Sequence, residues 1–253
     1  MIISVINHTN GKVTDAEVQA AIRAVNRQIA EDFMPYWGFG AQLRLEGRVG
    51  KKPNKQSLAD MRGEAVLYLW DDIDVKTAAG YHDKNFRGVP YAIVHVDLAV
   101  QLNEPWQVTF SHEALEVVGD PQTNLVVQGP HPDPKEKGRM VFHWFEMCDA
   151  VQSEVYEIDG VPVSNFVLPL YFTAEEQVGG RNDFLGTPIK GKALRSFEIN
   201  PGGYVGFFDP KIGKDDTFAI EGDAVAAARM AAKRKAGSGR GNHRRARTLL
   251  LGK

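Results

Sequence analysis

One amphipathic period near the start of the chain limits what the rest can fold into. Val18, Ile22, Val25, Ile29 and Phe33 recur every three or four residues, so this stretch is a helix that must lay one face on an apolar partner. Thr14 can cap it, and Glu17 occupies the capping-box position three residues later. Pro35 should end it, because the ring removes a donor and clashes with the preceding turn. Short runs suited to strands lie on either side: residues 2–8, the alternating Ala41, Leu43 and Leu45, the continuous run 65–70, and residues 89–96. In the last of these Pro90 stands at the entry, where a missing N–H matters least. Pro105 opens a second helix that carries residues 111–119 and that Asp120-Pro121 stops.

This order implies an α+β fold: a mixed sheet, a backing helix and a second helix, followed by a loop-rich C-terminal half. Residues 124–138, rich in Pro, Gly, Asp and Lys, read as a loop between the halves. Residues 141–150 read as a second short helix, and 155–171 as a hairpin turning at Asp159-Gly160. The stretch to about Asp209 reads as loops with short strands, and the Ala-rich residues 224–235 as a helix. The expected division is 1–123, 124–223 and a tail, 224–253.

Charge is unevenly spread. Nine of the 30 Lys and Arg fall in 224–253, which holds no acid, so residues 1–223 carry 21 basic against 32 acidic side chains. Around 229–247 the tail has three readings: phosphate contacts with nucleic acid, docking on an acidic protein partner, or plain solvation. It lacks the interleaved aromatics of a single-strand stacking platform. No run approaches the roughly 20 apolar residues that span a bilayer, and the first residues lack the basic and apolar regions of a signal peptide. The expectation is a cytoplasmic protein, or a component of an intracellularly assembled particle, with no membrane partner. Cys148 is the only cysteine, so no internal disulfide can form.

The chemistry concentrates in residues 111–120, Ser-His-Glu-Ala-Leu-Glu-Val-Val-Gly-Asp. On a helix His112 and Glu116 lie one turn apart on one face and can grip one metal ion. Glu113, beside the first ligand, is where His-Glu-x-x-His motifs place a general base. Glu116 replaces the second histidine; carboxylate is an accepted zinc ligand, and its hardness widens the choice to manganese or iron. Asp120, two turns from His112, can be a third ligand or a supporting acid. A hydrolytic zinc site needs three protein ligands, and Glu146 and Asp149, three residues apart, are the best distant source. On a helix that spacing puts both on one face; we favour Glu146 as third ligand with Asp149 orienting His112, and the reverse assignment, or Asp120 as ligand, stays open.

His112-Glu113-x-x-Glu116-x-x-x-Asp120 followed by Glu146-x-x-Asp149 resembles the gluzincin branch of the zincin metallopeptidases. The segments 80–82, 89–92 and 163–169 further resemble a group of uncharacterised bacterial proteins sharing this helix, over about residues 1–210. The resemblance implies a zincin-like mixed sheet, ligands at His112, Glu116 and Glu146, a base at Glu113 and outer acids at Asp120 and Asp149. It implies a zinc-dependent hydrolase of peptide or protein substrates, with the sheet edge near Gly80 aligning an extended chain. Two departures stand out: Glu116 where the enzymes have histidine, and a spacing of three rather than four between Glu146 and its acid.

Other candidates have plainer readings. His82, beside a strand edge, can contact substrate or metal but reads first as a hydrogen-bonded structural histidine, His95 as core or surface, Tyr156 as packing rather than an oxyanion donor, and Cys148 as a small buried hydrophobe. Residues 202–204 read as a turn. The contrasting function is a non-catalytic structural protein of a larger assembly, such as a phage particle or secretion device, anchored by the basic tail.

Overall fold

The computed structural model describes residues 1–46, 63–71, 80–173 and 179–222; the basic tail and its expected helix lie outside the described residues. β1 (Ile2–His8) leads into α1 (Asp15–Arg27), where Thr14 and Glu17 complete the capping box in both directions. Hydrogen bonding then widens to π-helical over Gln28–Phe33 before a last turn, α2 (Met34–Trp37). The helix therefore runs past Pro35, which falls in the first turn of α2, where a missing N–H is tolerated. Gly38, at φ 75°, ends it instead, its N–H donating to the Met34 carbonyl.

β2 (Gln42–Leu45), β3 (Ala65–Trp70), β4 (Gly80–Lys84) and β5 (Pro90–His95) follow, then α3 (Val96–Gln101) and α4 (Trp106–Gly119). The five strands form one sheet in the order β2-β1-β3-β5-β4, parallel from β2 to β5 with β4 antiparallel at the edge. The fold is thus α+β with a mixed sheet.

Strand alternation sorts the core. Ile3, Val5, Leu67, Leu69, Ala92 and Val94 join α1 and α4 in the main cluster, while Ile6, Val66, Tyr68, Tyr91 and Ile93 form a smaller one on the opposite face. The main cluster also takes in Met147, Cys148, Val163, Phe166 and Leu168. It therefore runs across the expected boundary at 123/124, and α4 lies between the sheet and the C-terminal half. A helix covered on both sides needs apolar residues all round, which explains why nearly all of α4 is buried.

In the C-terminal half, β6 (Val126–Pro130), β7 (Met140–Trp144), β10 (Tyr204–Asp209) and β11 (Lys214–Ala219) form an antiparallel sheet in the order β11-β10-β7-β6. β8 (Val155–Ile158) and β9 (Val161–Ser164) form the expected hairpin, with Asp159 and Gly160 both at positive φ in its two-residue turn. Two expectations need correction. Residues 124–138 contain β6, and residues 141–150 are not a helix. The run Met-Val-Phe-His-Trp is aromatic and β-branched, and β6 and β10 pair with it on both sides. After β7 the chain turns through Glu146 and Met147 into a short 3-10 helix, Asp149–Val151. Among the described residues, no helix is long and apolar enough to cross a membrane.

Candidate metal centre

α4 places His112 and Glu116 one turn apart, with His112 Nε2 3.2 Å from Glu116 Oε1. The turn after β7 brings Asp149 to the same nitrogen, Oδ1 standing 3.2 Å away. Glu146 arrives with that turn but reaches elsewhere: its Oε2 lies 3.7 Å from His82 Nε2. His82 comes from edge strand β4. Its cross-strand partner is Ala92 and that of Gly80 is Val94, both on the helix face of the sheet, so β4 points His82 and Gly80 toward α4. His82 Nδ1 stands 3.3 Å from Glu116 Oε2 and 3.6 Å from Glu113 Oε2. A Cβ at Gly80 would meet Glu113 Oε1 at 2.6 Å; glycine is what lets the strand close onto α4.

Glu113 and Glu116 are each 3% exposed and both histidines 7%. Glu113 Oε2 has no hydrogen-bond partner. Burial disfavours the His112 imidazolium, yet the charges of Glu116 and Asp149, and the hydrogen bonds to them, outweigh it and raise its pKa. The same balance works in reverse on Glu116, which burial would raise and His112 and His82 hold well below the ordinary carboxylate range. Without an ion, the cluster is therefore held by a proton on His112 shared between two acids. Burial, reinforced by Glu116 and Asp149, pushes the Cys148 thiol up. Its Sγ approaches the His112 carbonyl at 3.8 Å and its backbone N–H approaches Glu116 Oε1 at 3.4 Å.

Among the described residues, two sets of three donors lie within 4.8 Å of one another: His112, Glu116 and Cys148, and His82, Glu116 and Glu146. The structure thus brings together His112 and Glu116 as the motif suggests, and places Glu146 with His82 and Glu116 rather than with His112. Asp149 contacts His112, as expected of an orienting acid. Asp120 belongs to neither set: it caps α4, and its two oxygens accept the backbone N–H groups of Asn124 and Leu125 at 3.1 and 3.0 Å. The donors suit a divalent cation: imidazoles, carboxylates and an acceptor oxygen buried without a hydrogen bond.

Two residues escaped the sequence reading. His82 was legible in principle, since Gly80 and His82 alternate like the inward positions of a strand. Tyr204, expected in a turn, begins β10, and its phenol hydrogen-bonds Asp149; burial first, then the charges of Asp149 and Glu116, keep it protonated. Nothing local marks Tyr204, which reaches the site only through the pairing of β10 with β7. Tyr156 lies in another network, its hydroxyl donating to Asp32 at 2.8 Å and accepting from Gln28 at 3.1 Å. Compared with family models, with curated proteins and with solved structures, the chain matches none.

Proposed function

We propose that the chain is a metal-dependent peptidase on a zincin-like scaffold, with Glu113 as general base. The observation that carries this reading is Glu113 itself. Its Oε2 is buried, makes no hydrogen bond, and stands 3.6 Å from His82 Nδ1, a member of one of the two donor sets. A buried acceptor oxygen left without a hydrogen bond is costly, so its placement beside potential ligands suits it to receive a proton from a substrate-side group. His82, His112, Glu116 and Glu146 are the side chains that would hold a divalent ion, zinc by the donor types with manganese or iron as alternatives, and when bound it would supply an acidified water and a polarised carbonyl. Glu113 accepts the proton of the attacking water and returns it to the leaving amine. β4 has β5 as its only strand neighbour among the described residues, so its outer backbone groups suit strand addition by an extended peptide that runs past His82.

A second reading, a structural metal in a non-catalytic assembly protein, draws on the burial of the same residues, 3–7% exposed for the histidines and the two α4 glutamates. Metal content and cleavage of a mixed peptide library, measured on the full chain and on Glu113→Gln, separate the two. Cleavage by the wild type that Glu113→Gln loses while retaining metal supports the peptidase. Stoichiometric metal without cleavage supports the structural reading. If the purified chain takes up no metal and His112→Ala changes neither stability nor activity, both fail.

A further inference from the structure

The two oxygens of Glu116 face different histidines. Oε1 lies 3.2 Å from His112 Nε2, and Oε2 lies 3.3 Å from His82 Nδ1. Both separations match the edge of a coordination shell: donors about 2.0–2.2 Å from a tetrahedral ion stand roughly 3.3–3.6 Å apart, and less in an octahedral one. Two donors on one such ion are separated by at most about 4.4 Å, twice the longest of those bonds. Among the described residues, no donor set that closes within 4.8 Å contains both histidines. The donor sets that close within 4.8 Å are His112–Glu116–Cys148 and His82–Glu116–Glu146, with Glu116 the sole member common to both.

From this we infer that the site is a two-ion centre bridged by the Glu116 carboxylate. One position is framed by His112 and Glu116 Oε1, with Asp149 Oδ1 3.2 Å from the His112 nitrogen and Cys148 behind. The other is the set of His82, Glu116 and Glu146, whose donor atoms close within 4.8 Å with one nitrogen of His82; Glu113 Oε2 lies 3.6 Å from His82 Nδ1. Bridged pairs of this kind sit about 3.5–4 Å apart and clamp the attacking and leaving atoms of a hydrolysis between them.

This inference rests on the metal reading above, and ion stoichiometry tells the two apart. The full-length chain, stripped with chelator, is titrated calorimetrically with Zn(II) and separately with Mn(II), and bound metal is counted after gel filtration. About two equivalents per chain are expected, with the Mn(II) form giving the exchange-coupled electron paramagnetic resonance signal of a pair. His82→Gln and His112→Gln should each reduce binding to about one equivalent and abolish the coupling. One equivalent in the wild type, lost in either variant, means one shared ion: the two-ion centre is overturned and the metal-dependent reading stands. No bound metal in the wild type overturns both. The wild-type count and spectrum decide the matter even if a variant fails to fold.

Discussion

His82 Nδ1 on the edge strand approaches Glu116 Oε2 on α4 to 3.3 Å, both side chains only 4% exposed. The contact ties the edge strand of the sheet to α4 through two buried polar side chains. Removing one partner of a buried polar contact typically costs about 1–3 kcal/mol, because the other is left unsatisfied. His82→Ala, measured by urea denaturation in the presence of chelator, should therefore destabilise the protein by about that much. A loss under about 0.5 kcal/mol would mean that β4 is not held by this pair.

The close approach of Gly80 to Glu113 leads to a separate expectation. Gly80 does not have positive φ, so alanine is conformationally allowed there and the penalty is steric. Its Cβ would meet Glu113 Oε1 at 2.6 Å and Thr109 Cγ2 at 2.7 Å. Overpacking of this kind costs about 1–3 kcal/mol. Gly80→Ala should lower stability by that amount and displace Glu113, depressing any cleavage activity far more than metal content. If activity and metal fall together, the base assignment loses its support.

Much of the fold could be read from residues, and the reasons are local. The Thr14–Glu17 capping box and the two-residue Asp159-Gly160 turn encode their conformations within a few positions, and the continuous apolar run of residues 65–70 marks β3 as a central strand. What could not be read depends on distant pairing. Residues 140–144 become a strand because β6 and β10 flank them, and that pairing puts Glu146 and Asp149 on a turn rather than one helical face. The His112–Glu116 pair was legible from helical spacing alone. His82 was legible only as an inward position of an alternating strand, and Tyr204 was not legible at all, because it enters the site through the pairing of β10 with β7.

Gln28 is wholly buried in the π-helical segment and joins three elements. Ser111 Oγ donates to its Oε1 at 2.7 Å, and its Nε2 donates to the Ser164 carbonyl at 2.8 Å. Ser111 also accepts the Ser164 backbone N–H at 3.1 Å. Gln28→Leu keeps much of the volume but strips the buried Ser111 hydroxyl and Ser164 carbonyl of their bonds, at about 1–3 kcal/mol each, together with the bond to the half-buried Tyr156 hydroxyl. A loss of roughly 2–4 kcal/mol is expected in thermal or urea unfolding. Because Ser111 immediately precedes His112, metal affinity should weaken as well; unchanged affinity would show that this network does not position α4.

Acid sensitivity has an identifiable source outside the metal cluster. His143 on β7 is 2% exposed, with Nε2 2.7 Å from the Pro130 carbonyl and Nδ1 without a hydrogen bond. Burial, opposed only by the bond to Pro130, pulls its pKa down to about 4. Below the unfolded value of about 6.5 the unfolded chain takes up a proton that the folded chain refuses, so stability falls with pH. The loss runs from about pH 6.5 to pH 4 and levels off below, where both states are protonated. At 1.36 kcal/mol per pKa unit it amounts to about 3 kcal/mol. His143→Gln retains a donor for Pro130 without the titration, so urea midpoints for the variant should fall less between pH 6.5 and 4 than those of the wild type. Parallel profiles for the two proteins, or a His143 resonance titrating near 6.5, would remove His143 as the cause.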